Sequence, residues 1–512
     1  MRESHRLIIN SAAVFCQTLV LMAIGLVLPP FVIHQLGNDR YGVVVVIGSI
    51  LGFVALLQIG MPQALSRFIA VALERKDPQE LSRVMSSGMA FLVVCGAIGM
   101  LAVALFVWAP ELLVTWPAQM SRQTVQIVIL IMGILTVLNM PLSFGHVSFV
   151  GRERFVLHAV LQTGGFLLRF GMVYGLLLAF PGSILAYAAS SSGSVTLHTA
   201  IVFVLALCLF RDGRLSLGNV DLGILKKMLT FGSAVTLASM AVMLYIQADY
   251  FLIDKVVGPA AVTMFSLAVV WSLTLRNVLK AAVSVISPAA ARTHVSGGQQ
   301  ALSMMLMRAT KYSLLAAIAP LTFLCFYRYQ LMDVWMGKGY DEAATLMLPI
   351  LLADMVSHAV TGGTEMLVGM GRVRTILIID LIGGVANIAV ALLLSVWLGM
   401  GLMGFSLAYA VILVVRNAIV MPAYFMRVFH LKPLEYVGKC YGRSLLCAAT
   451  MVPCVYLISR AIPGESWGRI FLAVAATMLA YLPLVALLGM DSYDRNVFRQ
   501  LAGGIARKVR RI

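Results

Sequence analysis

The sequence predicts an all-α, polytopic membrane protein of about 14 transmembrane helices, built from two parallel six-helix repeats and two further C-terminal helices. Three observations predict this fold. The chain of 512 residues is 61% apolar and 12% charged, whereas soluble domains are roughly 45–50% apolar and about 25% charged. Its apolar residues form stretches of about 20 residues, the length that crosses a bilayer as a helix. Short sequence landmarks also recur at a nearly constant separation.

The apolar stretches predict fourteen spans. Helices are required because each backbone N–H and C=O group in the hydrocarbon core must bond within its own segment. The first stretch is longer than the apolar region of about 7–15 residues in a signal peptide, so we interpret it as an uncleaved span. The predicted spans cover residues 8–33, 42–66, 84–108, 124–149, 155–180, 184–210, 228–253, 260–290, 312–327, 343–369, 375–398, 402–426, 444–460 and 468–488.

Basic residues are distributed unevenly between the spans. With both termini in the cytoplasm, the cytoplasmic segments hold 27 of the 38 lysines and arginines, the outer loops 7 and the span interiors 4. This asymmetry follows the positive-inside rule. It predicts a multi-pass protein of the cell inner membrane with both termini cytoplasmic. The basic run from Arg507 to Arg511 is expected on the anionic cytoplasmic leaflet.

Landmarks of the first half recur in the second half. Gly151-Arg-Glu-Arg154 returns as Gly371-Arg-Val-Arg374, and Leu185-Ala-Tyr-Ala188 returns as Leu407-Ala-Tyr-Ala410. Because six spans lie between equivalent points, the halves are expected to be parallel repeats with a site at their interface. The predicted domains are an N-terminal six-helix bundle at 1–213, a cytoplasmic interfacial linker at 214–227, a C-terminal six-helix bundle at 228–430, transmembrane helices 13 and 14 at 431–490, and a basic cytoplasmic tail at 491–512.

Composition and motifs exclude several classes of function. The net charge of +17 is carried mainly by residues between the spans, where it meets anionic lipid headgroups, so nucleic acid is not an expected partner. The seven cysteines are scattered without metal-ligand spacing, and neither a metal nor a cofactor is predicted. The chain contains no Gly-x-Ser-x-Gly, His-Glu-x-x-His or Walker motif, so catalytic residues and enzyme activity are not expected.

Several segments resemble a family of membrane transporters. They are Leu36-Gly-Asn-Asp-Arg-Tyr-Gly42, Gln58-Ile-Gly-Met-Pro62 with Arg67, Asp249-Tyr-Phe-Leu-Ile-Asp254, and Gly258 with Phe265. Together with the repeat and the two additional helices, they resemble the polysaccharide-transport branch of the multidrug/oligosaccharidyl-lipid/polysaccharide flippase superfamily. The resemblance implies a flippase that moves an undecaprenyl-pyrophosphate-linked oligosaccharide, such as an O-antigen repeat unit, to the periplasmic leaflet. It implies as partners this lipid-linked oligosaccharide, membrane lipids, and polysaccharide polymerase and assembly proteins.

Two related transporter classes remain open. A multidrug and toxin extrusion-type cation antiporter shares the repeat and is the main alternative. Exporters of organic cations favour acidic cavities, whereas the spans here contain as many cations as carboxylates. A lipid II flippase is a further alternative, although the arginine-rich opening segment of that family is not evident.

Four cations within the spans are predicted to contact the substrate: Arg169, Arg276, Lys280 and Arg416. A charge at the bilayer centre costs about 2.5–3.5 kcal/mol on insertion scales, so each cation needs a partner or a wet cavity. Arg276 and Lys280 are four residues apart and share one helical face. A substrate pyrophosphate would supply the anion that both require. The alternatives are pairing with Asp249, Asp354 or Asp380, or snorkelling toward a helix end.

Five further side chains are predicted to couple transport to a proton or sodium gradient: Asp249, Asp354, His358, Glu365 and Asp380. Intramembrane carboxylates are costly and commonly serve as ion or proton relays. Asp354 and His358 are four residues apart, a spacing that allows them to share a proton. The alternative role of these carboxylates is a structural salt bridge to one of the interior cations.

Overall fold

The computed structural model describes residues 2–58, 60–283, 286–296, 298–491 and 494. For residues 2–15, 234–235, 237–239, 241–242, 281–282 and 288 it describes the backbone and not the side chain. The described residues form helices joined by short connections, and no strand occurs among them. The all-α membrane fold predicted from the sequence is confirmed.

The described part of the chain contains nineteen α-helices, some of which continue directly into short π-helical segments. They are α1 (Arg2–Leu36), α2 (Asn38–Ala55), α3 (Met61–Glu74), α4 (Pro78–Trp108), α5 (Arg122–Leu142), α6 (Phe144–Gly151), α7 (Phe155–Ala179), α8 (Ile184–Leu209), α9 (Leu222–Val256), α10 (Pro259–Val283), α11 (Ile286–Val295), α12 (Gln299–Met336), α13 (Asp341–Gly369), α14 (Val373–Leu392), α15 (Leu402–Val414), α16 (Met421–Phe429), α17 (Pro433–Cys440), α18 (Gly442–Ala461) and α19 (Trp467–Leu484).

Thirteen helical stretches of the described residues are long and apolar enough to cross a membrane. The predicted span at 228–253 lies within α9, which is not one of the thirteen and has several side chains outside the described set. At 35 residues, α9 is about 52 Å long at roughly 1.5 Å per residue, so its length alone is sufficient to cross a core of about 30 Å.

Several helices differ from the spans predicted for them, and two regions show this most clearly. The stretch 42–66 was expected to form one span, but the chain forms α2 and α3, and Gly60 between them has a φ of +91°. Pro62 follows in the first turn of α3, where its missing N–H leaves no helical bond unmade. The span predicted at 312–327 is too short. The helix that forms there, α12, covers 38 residues and includes Arg308 and Lys311, which lie outside the predicted span.

Side-chain caps define the starts of two long helices. The carboxylate of Asp77 accepts hydrogen bonds from the backbone N–H groups of Gln79 and Glu80 at 2.9 and 3.0 Å, ahead of α4. Asp221 caps α9 in the same way, at 2.8 and 3.0 Å from the next amides. These caps satisfy N–H groups that have no partner within the helix, so each helix begins at a fixed residue.

The helices group into two compact units. Unit 1 comprises Met1–Ser266 and Asp380–Phe405, and unit 2 comprises Leu267–Ile379 and Ser406–Ile512, with boundaries inside α10 and α14. In unit 1, apolar side chains of α3, α4, α6 and α9 form a core that includes Leu65 and Phe144. In unit 2, a core that includes Leu306 and Phe425 joins α11, α12, α13, α16 and α17. The domain boundaries expected from the repeat stay a prediction.

Glycine makes two features of unit 1 possible. Gly37 and Gly258, which occupy equivalent positions in the predicted repeat, have φ values of +81° and +120° and immediately precede α2 and α10. Gly populates this half of the φ range without steric cost. At Gly42, α2 approaches the start of α10 so closely that an added Cβ would lie 1.8 Å from the carbonyl oxygen of Pro259. Only a residue without a side chain fits there.

We expect Gly42→Ala to lower the thermal unfolding temperature of the detergent-purified protein by several degrees, because overpacking against backbone costs about 1–3 kcal/mol. Differential scanning fluorimetry measures this shift. The matched control is Gly52→Ala on the same helix, where an added Cβ meets no atom within 4 Å and should leave stability unchanged or slightly higher. Equal shifts in the two variants would contradict the close approach of α2 to α10.

Candidate functional site

A polar cluster in unit 2 surrounds Asp354 of α13. The Asp354 side chain is fully buried, and its carboxylate accepts hydrogen bonds from Ser272 Oγ and Arg276 Nη2 of α10. The same nitrogen donates to the hydroxyl oxygen of Tyr409 at 2.8 Å. Ser272 and Arg276 are four residues apart, so one face of α10 presents both donors to a single carboxylate.

Arg276 is therefore paired with Asp354, one of the three carboxylates that the sequence analysis left open. Removing one partner of such a buried pair costs about 3–5 kcal/mol because it leaves an uncompensated charge. The pairing does not use all of the guanidinium donors. Arg276 Nε has no hydrogen-bond partner among the described residues, and 31% of the side-chain surface remains exposed.

Lys280 and His358 lie one helical turn from this pair, on α10 and α13. Lys280 is exposed, and within the described part of unit 2 no carboxylate forms an ion pair with it. His358 is only 2% exposed, and its Nε2 atom has no hydrogen-bond partner among the described residues. Among the described residues, a cation without an ion pair and an imidazole nitrogen without a hydrogen bond thus lie beside an internally neutral pair.

Asp249 of α9 occupies a different polar site, in unit 1. It is fully buried, and Asn387 Nδ2 of α14 lies 3.0 and 3.1 Å from its two carboxylate oxygens. No cation in the described part of unit 1 forms an ion pair with it. Asn387 Oδ1 is also buried without a described partner. The Asp249 carboxylate is therefore held by an amide N–H group and not by a described positive side chain.

Arg169 of α7 lines a cavity of about 210 Å³ within unit 1. Tyr41 and Tyr187 contribute to the same wall, and the remaining lining is largely apolar. Arg169 Nη2 donates to Ser191 Oγ at 3.2 Å, whereas Nε is buried without a partner among the described residues. The cavity thus combines a guanidinium that retains hydrogen-bonding capacity with two tyrosine rings.

The repeat places a tyrosine near an arginine in both units. Tyr187 and Tyr409 are the tyrosines of the recurring Leu-Ala-Tyr-Ala segment. Tyr187 shares the cavity wall with Arg169, and Tyr409 accepts a hydrogen bond from Arg276. In the sequence both tyrosines are landmarks of the repeat and not predicted site residues, and the 133 residues between Arg276 and Tyr409 give no signal of their contact.

The remaining predicted site residues are Arg416, Glu365 and Asp380. Arg416 lies in the π-helical segment Val415–Val420 and donates to the side-chain oxygen of Asn417, which in turn donates to Ser357 Oγ at 2.7 Å. Glu365 is partly buried near the end of α13, and Asp380 is partly buried in α14. Their roles in substrate binding and ion coupling stay predictions.

A buried ion pair that the sequence analysis missed lies at the end of unit 2. Lys311 of α12 lies 2.5 Å from Asp494 and 3.4 Å from Asp491, and Tyr312 also donates to Asp494. Burial raises the pKa of Asp494, but the hydrogen bonds from Lys311 and Tyr312 outweigh it and lower that pKa to about 2. Because the predicted span begins one residue after Lys311, this lysine was expected in a loop and not in a buried ion pair.

The sequence also matches a known family. A family model described as "Polysaccharide biosynthesis protein" matches residues 8–294, more than half of the chain. The chain belongs to this family. A curated relative, "Uncharacterized membrane protein EpsK" of Bacillus subtilis (strain 168), is 20% identical over 504 residues, which cover 97% of this chain and 99% of that protein.

Solved structures share the fold of this polysaccharide biosynthesis protein. A structure titled "Lipid II flippase MurJ, inward closed conformation" matches with a TM-score of 0.72 at 14% identity, over 96% of this chain and 100% of the other. An inward-facing multidrug resistance MATE family transporter of the MOP superfamily matches with a TM-score of 0.65 at 16% identity, over 83% and 98%. At these identities the matches establish the fold alone.

We expect Arg276→Gln and Asp354→Asn each to destabilise the protein, and the double variant to lose less than the sum of the two. A double-mutant cycle of unfolding free energies in mixed micelles should give a coupling energy of about 0.5–3 kcal/mol. Arg292→Gln, which removes an exposed cation of α11, serves as the charge control and should not couple with Asp354→Asn. Additive losses for Arg276 and Asp354 would show that the two charges do not stabilise each other.

Proposed function

We propose that this protein is a flippase for surface polysaccharide biosynthesis. Its substrate is a polyprenyl-pyrophosphate-linked oligosaccharide, which it moves from the cytoplasmic to the periplasmic leaflet by ion-coupled alternating access. The observation that carries the proposal is the pair of incompletely compensated cations, Arg169 and Lys280, on membrane helices of a polysaccharide biosynthesis family member. A membrane helix retains such charges at a cost unless an anion or water compensates them.

The chemistry of the substrate fits these side chains. A pyrophosphate offers several anionic oxygens, which a guanidinium binds through a planar fork and an ammonium binds as a point charge. Arg276 and Arg416 are proposed to contribute further contacts to the same substrate. The tyrosines beside Arg169 present aromatic faces and hydroxyl groups, a combination suited to a sugar. The proposed role is therefore binding and movement, with no covalent chemistry.

Asp249 is proposed as the principal coupling residue. A buried carboxylate is stable only when its charge is compensated, and its described neighbour Asn387 supplies a hydrogen bond and no positive charge. A proton or a sodium ion would complete the site, and the carboxylate oxygens of Asp249 would bind either one. Asp354, His358, Glu365 and Asp380 are proposed to assist coupling, although the pairing of Asp354 with Arg276 makes Asp354 less available.

The main alternative is a multidrug and toxin extrusion-type cation antiporter. It is favoured by the buried, cation-free Asp249, which would suit a positively charged substrate or its counter-ion. Against it, the cavity of unit 1 is lined by Arg169 and contains no carboxylate among its described residues. An organic cation would be repelled there, so the anionic lipid remains the better fit.

Membrane placement and partners complete the proposal. The excess of lysine and arginine in alternate connections supports a multi-pass protein of the cell inner membrane with both termini in the cytoplasm. A flippase in that orientation receives its lipid-linked oligosaccharide from cytoplasmic glycosyl transfer. It would deliver the product to a polysaccharide polymerase and assembly proteins on the periplasmic side.

We expect Lys280→Gln and Arg169→Gln each to reduce surface glycan in a complemented deletion strain by about tenfold or more. A hydrogen bond to a charged group contributes about 1.5–3 kcal/mol, and 1.4 kcal/mol corresponds to a factor of ten. Quantitative glycan staining measures the effect, and immunoblotting of membranes verifies equal protein levels.

Two matched variants sharpen this test. Lys280→Arg keeps the charge and should retain most glycan, whereas Lys226→Gln removes an exposed lysine of α9 and should have no effect. Wild-type glycan in both Lys280→Gln and Arg169→Gln, at normal protein levels, would exclude these cations from the transport route. Export of organic cations in place of glycan would favour the antiporter.

We expect Asp249→Asn to abolish the dependence of transport on an imposed proton or sodium gradient, because the neutral amide no longer needs an ion to compensate it. Fluorescent lipid-linked oligosaccharide in proteoliposomes, tested with each gradient separately, measures this dependence. Asp254→Asn is the matched control: it removes a second buried carboxylate from α9, one whose oxygens are held by Thr115. An unchanged gradient response in Asp249→Asn would end the coupling role of this residue.

A further inference from the structure

Unit 2 contains a cavity of about 590 Å³ between α10, α11, α12 and α13. Eight of its thirteen lining residues are apolar, among them Leu279, Val283, Met304 and Met305. Since one water occupies about 30 Å³ in the liquid, the volume suits an occupant of on the order of twenty water-sized groups. A mostly apolar wall of this size favours a hydrocarbon chain over a column of water.

The polar side chains of the cavity are concentrated along one stretch of its wall. On α12 the apolar residues Ala301, Met304 and Met305 come first, and Arg308, Tyr312 and Ser313 follow them. His358 of α13 belongs to the lining as well. The wall is therefore apolar toward the start of α12, and from about two turns further on it contains these polar side chains together with Ala309 and Ala316.

Two of these polar side chains have unused hydrogen-bonding capacity. His358 and Ser313 are 2% and 5% exposed, and His358 Nε2 and Ser313 Oγ are buried without partners among the described residues. Buried polar groups in native structures almost always have a partner, so each exception requires an explanation. Both atoms can donate a hydrogen bond, and Arg308 adds positive charge to the same wall. The matching ligand is an oxyanion attached to an apolar chain.

We propose that this cavity binds the phosphate group of a membrane lipid, with part of the lipid chain lying on the apolar wall. Ser313, His358 and Arg308 contact the phosphate, and Leu279, Val283 and Met304 contact the chain. Arg308 makes other polar contacts as well, and its contribution is the charge of its guanidinium. The cavity lining includes neither Arg169 nor Lys280, and it shares His358 with the proposed coupling residues. Lipid binding here does not depend on the proposed flippase activity.

Native mass spectrometry of the full-length protein tests the proposal with two matched lipid pairs: phosphatidic acid against diacylglycerol, and polyprenyl phosphate against polyprenol. We expect one copy of a phosphate-bearing lipid to be retained and its phosphate-free partner to be lost. Retention of phosphatidic acid identifies a bulk phospholipid as the occupant. Preferential retention of polyprenyl phosphate identifies the lipid carrier, and either result supports a phosphate-lipid site.

Two variants locate the binding. Arg308→Gln should weaken retention about tenfold, the loss typical of one charge-assisted hydrogen bond, while Arg292→Gln should not. Ala301→Trp, at an exposed position in the cavity wall, should block the apolar end, while Gln300→Trp on the adjacent exposed position should not. Ala301→Trp keeps the test valid if Arg308→Gln fails to fold. Equal retention of phosphate-bearing and phosphate-free lipids, or wild-type retention in Ala301→Trp, would overturn the proposal.

Discussion

The structure depends on the compensation of charge in an interior of low dielectric constant. Each buried charge of the described residues meets this constraint in one of a few ways. Arg276 is neutralised by Asp354, and Lys311 by Asp494. Arg169 has a serine and a cavity, whereas Asp249 has only an amide. The two ion pairs stabilise the helices against one another, whereas Arg169 and Asp249 form no ion pair with a described side chain. A ligand or an ion can bind where a charge has no such partner, which is why the functional proposals rest on residues of this second kind.

The recurring Leu-Ala-Tyr-Ala segment places its tyrosine in a different chemical environment in each unit. In unit 2, Tyr409 completes the environment of an arginine that already has a carboxylate partner. In unit 1, Tyr187 lies in the wall beside an arginine whose described partner is a neutral serine. The two tyrosines therefore differ in role: Tyr409 bonds to an arginine that is paired with a carboxylate, and Tyr187 lines a cavity.

The sequence predicts much of this fold because the bilayer allows few alternatives. A run of about twenty apolar residues has to be a helix, so element type and approximate number follow from composition. The errors have local causes. The span predicted for α12 is too short because Arg308 and Lys311 interrupt its apolar run. In the folded unit both charged side chains are nevertheless part of the helix. Pairing was less predictable, since Asp354 is 78 residues from Arg276 in the chain. Helical spacing identifies which side chains share a face of one helix, but it cannot identify the helix that packs against that face.

The environment of Asp249 has the strongest consequence for mechanism. A carboxylate with no exposed surface, and with no ion pair to a described cation of its unit, is stable only when a proton or a small cation neutralises it. In the proposed coupling, either species would exchange with the surroundings, so the occupancy of this site would depend on ion concentration. An ion can shift a conformational equilibrium only by as much as its affinity differs between the two states. Asp249 of α9 and Asn387 of α14 are 138 residues apart in the chain. A relative movement of α9 and α14 would change the positions of the side-chain atoms around the ion, and the affinity of the site for the ion would change as a result. The buried amide–carboxylate pair thus has the two properties that coupling requires, an exchangeable charge and ligands on separate helices.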